Sequence, residues 1–219
     1  MSGDHAAVVL AAGGSTRLGQ PKQLLVHAGE PLVHRAVRLA RDTRPAATLV
    51  VVGAHAEAVE AALADLDCTP LRNDRWRAGL SASLRVAAPA VLASGARRAL
   101  VLVCDQPALE AAHLGALLEG ADGTAVGCAA TRYGAEGGIG VPAVVPAWWF
   151  ADAAGGAQSD ASADAPADAS PDRGFGARLR ALAAAADGRT GRPFLLDAPE
   201  LGIDIDTPDD LRHLDAGHR

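Results

Sequence analysis

Three continuous apolar runs dominate the pattern of hydrophobic and polar positions along the chain. They cover residues 8–12, 48–53 and 99–104. Polar residues do not alternate with apolar ones inside them, which is typical of parallel strands buried on both faces. Shorter apolar segments predict further strands at 68–71, 124–130, 143–145, 194–196 and 201–203.

The segments between these runs have helical periodicity. Apolar positions three and four residues apart, with alanine-rich stretches, predict helices at 31–42, 56–65, 80–93, 109–119 and 174–186. Strands that alternate with helices favour an α/β fold with a mostly parallel, Rossmann-like sheet in a three-layer α/β/α sandwich. The pattern predicts one domain over residues 1–219.

One segment departs from this pattern. Residues 151–173 consist mainly of Ala, Asp, Ser and Gly and contain no large apolar residue. Such a composition buries too little surface to offset the entropy lost on ordering, so we expect a disordered surface insertion. The apolar pattern resumes after it, which makes it an insertion within the domain.

Composition and charge narrow the classes of function. The 219 residues carry a net charge of -6, which argues against a general electrostatic grip on nucleic acid or on an anionic membrane. The three cysteines are scattered and form no C-x-x-C pair, so neither a disulfide framework nor a zinc site is predicted. With no signal-like start and no membrane-length apolar run, the expected location is the cytoplasm.

A glycine-rich stretch follows the first predicted strand. Gly13, Gly14 and Ser15 allow a close backbone approach and can present N–H groups to an anion, and Arg17 and Lys22 add two cations. This combination suits a polyphosphate. The stretch has neither the Gly-Lys-Ser/Thr ending of a P-loop nor the G-x-G-x-x-G spacing of a dinucleotide fold. An ordinary glycine-rich turn with two solvated cations remains the alternative.

Acidic residues follow the strongest strand and the last one. Asp105 comes directly after residues 99–104 and before Pro107, at a position where α/β folds bind ligands, so we predict a Mg²⁺ ligand. Its alternative role is to cap the next helix. Near the end of the chain Asp204 and Asp206 lie on one side of the backbone by the period of two. Either Asp206 or Thr207 can cap the following helix.

The polar stretch 73–83 leads into the predicted helix 80–93. Gly79 or Ser81 is placed to cap that helix, whose N-terminus would then face a phosphate or a ribose. A plain capped loop with a half-buried Trp76 is the alternative.

Taken in order, these stretches resemble the motifs of the MobA-like NTP transferase family. The glycine-rich stretch resembles L-A-x-G-x-S-x-R-M-G-x-x-K, with Leu18 at the Met position. Asn73, Trp76, Gly79 and Ser83 match the family motif N-x-x-W-x-x-G-x-x-x-S. Residues 104–107 resemble the family's Cys-Asp-Gln-Pro motif, and residues 140–142 resemble its G-x-P strand. Residues 204–210 resemble its closing motif D-I-D-T-P-x-D. Phe175 replaces the Asp that the family usually has between two glycines.

The resemblance extends from about Val8 to Leu214. Within the family, Leu-Ala-Ala-Gly, Cys-Asp-Gln-Pro and Asp-Ile-Asp-Thr-Pro are most similar to the molybdenum cofactor cytidylyltransferases. This resemblance implies a fold of the nucleotide-diphospho-sugar-transferase type. The resemblance also implies transfer of CMP from CTP to the terminal phosphate of a molybdenum-bound molybdopterin, with release of pyrophosphate. A recipient molybdoenzyme or its chaperone is a candidate partner.

The resemblance also implies roles for single residues. Arg17, Lys22 and Asp105 would be catalytic, with both cations on the leaving β,γ-phosphates, and Asp105 and Asp206 would hold one Mg²⁺. Asp204 is the alternative metal ligand or supports Asp206. The remaining nucleotide-binding residues would be Leu10, Ala11, Ala12, Gly13, Gly14, Ser15, Asn73, Gly79, Ser81 and Ser83.

Other functions remain open. The same site could transfer a guanylyl group or act on a sugar phosphate, because backbone atoms can read the base. A nicotinamide-dependent oxidoreductase and a non-catalytic nucleotide-binding chaperone are alternatives from other classes. The presence of all four charged residues, Arg17, Lys22, Asp105 and Asp206, disfavours both of them.

Overall fold

A seven-stranded sheet forms the centre of the molecule. The computed structural model describes residues 3–134, 138–155, 175–184 and 191–215. In spatial order the sheet is β5-β4-β1-β6-β8-β7-β9. Its strands are, in chain order, β1 (His5–Ala11), β4 (Ala47–Val52), β5 (Thr69–Arg72), β6 (Arg98–Val103), β7 (Ala129–Arg132), β8 (Ile139–Pro146) and β9 (Phe194–Asp197). A small hairpin of β2 (Val26–His27) and β3 (Glu30–Pro31) lies apart from it.

Six of these strands point the same way and only β8 is reversed. β1 pairs in parallel with β4 and β6, β5 with β4, and β9 with β7, whereas β8 is antiparallel to both β6 and β7. The prediction of a mostly parallel α/β sheet is therefore confirmed. The carboxyl ends of β1, β4 and β6 lie at one edge, where open α/β sheets place their ligands.

Helices cover both faces of the sheet, as the unalternating strands require. Ala7, Val9 and Ala11 of β1 belong to the core beneath the helices α1 and α4, and Val8 and Leu10 to the core beneath α3 and α5. The helices are α1 (Leu32–Asp42), α2 (Ala56–Ala61), α3 (Leu80–Ala93), α4 (Ala111–Asp122), α5 (Trp148–Gly155), α6 (Phe175–Ala184) and the short α7 (Arg212–Asp215). Helix α3 has the bounds that the sequence predicts.

Several predicted elements differ from the structure. Strand β7 begins only at Ala129, because the hydroxyl of Thr124 bonds the backbone of Cys128 and closes a turn. The apolar triplet 201–203 is no strand, since residues Pro199–Gly202 form a 3-10 helix. Helix α2 ends at Ala61 rather than at 65.

The predicted disordered insertion is helical at its start. Residues 151–155 of the predicted segment 151–173 continue α5, which begins at the two tryptophans. The rest of that segment lies outside the described residues. Within the described ranges, no helix combines the length and the apolar character needed to cross a bilayer.

The fold generates a prediction about the central strand β6. Leu100 is fully buried and faces Ala7 of β1 and Val144 of β8. We expect Leu100→Ala to lower the free energy of unfolding by about 2–5 kcal/mol, because it leaves a cavity in the centre of the sheet. Thermal unfolding measures this loss as a fall in Tm of about 2–4 °C per kcal/mol. Leu92 on α3, 42% exposed, provides the control, since Leu92→Ala removes the same atoms from the surface. Equal losses in the two variants would contradict the assignment of β6 to the core.

Candidate active site at the carboxyl edge of the sheet

A cleft of about 220 Å³ lies at the carboxyl ends of β1 and β6, beside the first turn of α3. It brings together residues that are far apart in sequence. Among the predicted site residues it is lined by Leu10, Ala11, Ala12, Gly13, Lys22, Gly79, Ser83 and Asp105. The lining also includes residues that the sequence analysis did not assign to the site, namely Gln23, Trp76, Leu80, Val103 and Cys104.

The ammonium of Lys22 lies between two carboxylates. Its Nζ atom forms ion pairs with Asp105 and with Asp206, and the nitrogen is 2.7 Å from the nearer oxygen of Asp206. The side chains of Lys22 and Asp105 are only 15% and 11% exposed. Burial by itself would lower the pKa of Lys22, but the two carboxylates outweigh it and raise that pKa. Lys22 is therefore a permanent cation.

Arg17 completes this cluster from the solvent side. Its guanidinium donates to the second oxygen of Asp206 at 2.6 Å, although the Arg17 side chain is 70% exposed. Partial burial would raise the pKa of Asp206, but the contacts with Lys22 and Arg17 lower it below its usual value. The two predicted phosphate-binding cations thus both contact carboxylates in this structure.

Backbone contacts bring Asp105 and Asp206 to the same place. The N–H of Ile205 donates to the carbonyl oxygen of Asp105 at 3.1 Å, which ties the last loop to the end of β6. Thr207 caps the 3-10 helix Pro208–Leu211, and the carboxylate of Asp210 accepts from the N–H groups of Asp206 and Thr207. Neither predicted metal ligand is a cap, since Thr207 caps that helix and Glu110 holds the N-cap position of α4.

A small apolar cluster holds the glycine-rich stretch against the last loop. Leu18, Leu32, Ile205 and Leu214 are buried together, apart from the two main cores. Leu18 belongs to the stretch, and Ile205 lies directly before Asp206. Packing between them keeps Arg17 near Asp206, and it explains why an apolar residue follows the arginine.

The glycine-rich stretch is shaped by local contacts. The hydroxyl of Ser15, a residue with φ of 49°, accepts from the N–H of Lys22 and closes the loop. A Cβ on Gly14 would lie 2.6 Å from the ring of Trp76, whereas a Cβ on Gly13 would approach only the Lys22 side chain, at 4.0 Å. Gly14 therefore makes room for Trp76, while Gly13 leaves space in the cleft.

The other predicted nucleotide-binding residues lie in α3 and in the segment that leads into it. Gly79 occupies the N-cap position with φ of 86°, and Ser81 lies in the first turn. The amide of Asn73 donates to the hydroxyl oxygen of Ser83 at 3.0 Å, and both side chains are buried. Because the Ser83 oxygen already accepts this bond, its hydrogen is available to an acceptor in the cleft.

Two buried glutamines follow the charged residues of the site. The Nε2 group of Gln23 donates to the carbonyl oxygens of Ala11 and Gly13. The Nε2 group of Gln106 donates to Leu201 at 2.8 Å and to Val141 at 3.3 Å. The sequence analysis missed Gln23 as a site residue, and the available signal was one polar residue between Lys22 and two leucines.

A second set of polar contacts lies where the reversed strand β8 meets the last loop. Tyr133 donates its hydroxyl to the carbonyl of Val141, and burial raises the pKa of Tyr133 to about 12. Asp204 lies nearby. This residue as a whole is exposed, yet partial burial of its carboxyl, followed by repulsion from Asp105, raises its pKa to about 7.

The donor set of this site fits one divalent cation. Asp105 and Asp206 reach the same ammonium, so their oxygens are close enough to share one ion. Burial, and after it the carboxylate of Asp105, raise the pKa of Asp204, so negative charge is unfavourable there and an added cation would relieve it. Groups of three or more metal-binding side chains do not occur in the described part of the chain. Two carboxylates suffice for Mg²⁺ when phosphates and water complete its shell.

Cys104 lines the cleft but does not supply a nucleophile. Its thiol is almost fully buried, and burial raises its pKa far above the usual range. Because the thiolate is the reactive form, the thiol stays inert at neutral pH.

Comparisons with known proteins show which family the chain resembles. The family described as the MobA-like NTP transferase domain matches residues 7–197. A probable molybdenum cofactor guanylyltransferase from Opitutus terrae is 37% identical over 112 residues, which cover 51% of this chain and 53% of that protein. The chain thus aligns with about half the length of this curated relative.

Solved structures extend the similarity to nearly the whole chain. The crystal structure of Rv0371c from Mycobacterium tuberculosis H37Rv has a TM-score of 0.70 at 28% identity, covering 96% of each chain. The same protein in complex with manganese has a TM-score of 0.69 at 27% identity, covering 97% of this chain and 98% of the other. Because the family match spans most of the sequence, the chain belongs to the MobA-like NTP transferase family.

Proposed function

We propose that this protein is a Mg²⁺-dependent nucleotidyltransferase that moves CMP from CTP to a phosphate-bearing acceptor of the molybdopterin type. The observation that carries the proposal is the cluster of Lys22 and Arg17 with Asp105 and Asp206 at the mouth of a glycine-lined cleft. Two cations and two carboxylates are what a reaction between a triphosphate and a second phosphate requires.

The reaction needs charge neutralisation more than proton transfer. The terminal phosphate of the acceptor is ionised at neutral pH, so it attacks without a general base. Lys22 and Arg17 would leave Asp206 and bind the leaving β,γ-phosphates, which are better partners for them than a shared carboxylate. When bound to Asp105 and Asp206, Mg²⁺ would neutralise charge on the α-phosphate and on its attacker.

The chain's own residues would also place the nucleotide. The backbone from Leu10 to Gly13 and the hydroxyl of Ser83 line the cleft and would contact base and ribose. Gly14 and Ser15 would lie along the phosphates. Asn73 would orient Ser83 from behind, and Gly79 and Ser81 would present the N-terminal turn of α3.

The manganese complex of Rv0371c supports the metal in this proposal. That protein resembles the present chain over nearly its whole length. Manganese and magnesium ions both accept carboxylate, phosphate and water oxygens as ligands. The two carboxylates that flank Lys22 are the candidates for the same role here.

Guanylyl transfer is the second candidate function. It is favoured by the relative from Opitutus terrae, a probable molybdenum cofactor guanylyltransferase. The motif Leu-Ala-Ala-Gly at the end of β1 favours cytosine by resemblance. Both candidate reactions would use the same charged residues, and they differ only in the base of the nucleotide.

A panel of nucleoside triphosphates tests the function. With Mg²⁺ and a molybdopterin-type acceptor, we expect pyrophosphate release with CTP to exceed that with GTP by about tenfold or more, as expected for a cleft that reads polar groups of the base. Preference for GTP would support the guanylyl candidate. No pyrophosphate with any nucleotide or acceptor would contradict transferase activity and would favour a binding protein.

The carboxylates generate a second prediction. Asp105→Asn and Asp206→Asn should each lower kcat by about 10²–10³, as loss of a preorganised charge does. Asp209→Asn is the matched control, because Asp209 lies three residues from Asp206 and is exposed outside the cleft. Steady-state kinetics measures kcat in each variant, and thermal unfolding measures its stability. Full activity in either site variant would remove that carboxylate from the mechanism and make Asp204 the next candidate.

The position of Lys22 generates a prediction about metal binding without nucleotide. Its ammonium competes with a divalent cation for the same two carboxylates. Lys22→Gln should therefore bind Mn²⁺ alone about tenfold more tightly than the wild type, within the usual range of coupling between sites. The same variant should lose affinity for the triphosphate.

Calorimetry or Mn²⁺ paramagnetic resonance measures this affinity. Arg17→Gln is the control, because Arg17 is exposed and, among the described residues, pairs with Asp206 but not with Asp105, so its effect on Mn²⁺ should be smaller. Weaker Mn²⁺ binding in the Lys22 variant would show that the ion does not use these carboxylates.

A further inference from the structure

Gln23 occupies an unusual position beneath the glycine-rich stretch. Its side chain is fully buried, with 0% of the residue exposed. The Nε2 atom donates to the carbonyl oxygen of Ala11 at 2.9 Å and to that of Gly13 at 2.7 Å. Both partners are acceptors, so the orientation of the amide is fixed by its contacts.

Gln23 and the N–H of Ala54 together bind three consecutive backbone carbonyls at the end of β1. By the period of two, the carbonyls of Ala11 and Gly13 point to one side of the backbone and that of Ala12 to the other. The Ala12 carbonyl accepts from the N–H of Ala54 at 3.1 Å. Three consecutive carbonyls are therefore held by fixed donors, and Gln23 holds two of them.

Fixed carbonyls determine where the neighbouring N–H groups point. In the described part of the chain, the N–H groups of Gly13 and Gly14 have no hydrogen-bond partner. Each trans peptide plane is rigid, so holding the carbonyl of Gly13 on the side of Gln23 aims the N–H of Gly14 to the other side. This free N–H is thereby fixed in direction and can donate to an anion.

The other end of the amide has no compensating contact. Its Oε1 atom is buried and unpartnered among the described residues. A buried acceptor without a donor costs stability, and this cost accompanies the two bonds that the Nε2 group makes to the carbonyls of Ala11 and Gly13. The structure keeps the amide nonetheless, which points to a role for its donor group that packing alone does not require.

We propose that Gln23 is a positioning residue that fixes the strand-end backbone so that the free N–H of Gly14 binds a phosphate of the nucleotide. The inference rests on the proposed function for the identity of the ligand. Gln23 also lies in the one-turn 3-10 helix Lys22–Leu24, so it holds Lys22 in register with the same backbone.

The test compares binding and stability in matched variants. Gln23→Met keeps the length of the side chain and removes the donor, and Gln23→Asn keeps the amide but shortens its reach. Thr131→Val is the control, because Thr131 is fully buried in β7 and its hydroxyl donates to the carbonyl of Pro142 at 2.8 Å, away from the glycine-rich stretch. Calorimetry with non-hydrolysable analogues of CTP and GTP, in the presence of Mg²⁺, measures Kd.

We expect Gln23→Met to raise the Kd of the bound analogue by about 10–100-fold, as residues that orient contact groups typically do. In turnover, the KM for the nucleotide should rise while the KM for the acceptor stays unchanged. Gln23→Asn should give a smaller increase, and Thr131→Val should leave Kd within about twofold while it lowers Tm.

The outcomes separate the two proposals. A wild-type protein that binds neither analogue contradicts the proposed function. A wild type that binds, together with a folded Gln23→Met variant of equal Kd, overturns the positioning role alone. The role is also overturned if neither Gln23 variant folds, because Gln23 is then needed for the structure itself.

Discussion

The shared ammonium of Lys22 is the interaction on which the site depends. It neutralises two carboxylates that the fold brings together from the end of β6 and from the last loop. Without it, Asp105 and Asp206 would repel each other in a place with little water, and the raised pKa of Asp204 shows how strongly negative charge is resisted there. The two cations Arg17 and Lys22 thus balance the carboxylates of Asp105 and Asp206 within a chain of net charge -6.

Support for this interaction comes from neutral parts of the structure. Leu18 and Ile205 pack together beneath the charges, and the N–H of Ile205 bonds the carbonyl of Asp105. On the other side Trp76 rests on Gly14. These contacts leave the charged side chains free to change partners while the backbone that carries them stays in place.

The sequence predicted the sheet well because its strands are buried on both faces. Runs without alternation, as in β1, β4 and β6, identify central parallel strands, and the carboxyl ends of such strands must share an edge. Short elements were harder to predict, since the three apolar residues 201–203 suit a strand and a 3-10 turn equally. Contacts that join distant segments, such as Arg17 with Asp206, leave no trace in the local pattern. The resemblance to family motifs named most of the cleft and also Asn73 behind Ser83, but not Gln23, which holds the glycine-rich stretch from behind.

The packing of Leu18 against Ile205 sets a condition for loop exchange between relatives. A graft of residues 13–22 from a homologue would carry its own apolar residue into a pocket shaped by Leu32, Ile205 and Leu214. If that residue is larger or more flexible than leucine, the last loop must shift, and Asp206 shifts with it. A chimaera meant to change the base would then alter the charge geometry as well. Residues 18 and 205 therefore form a pair that should be transplanted together.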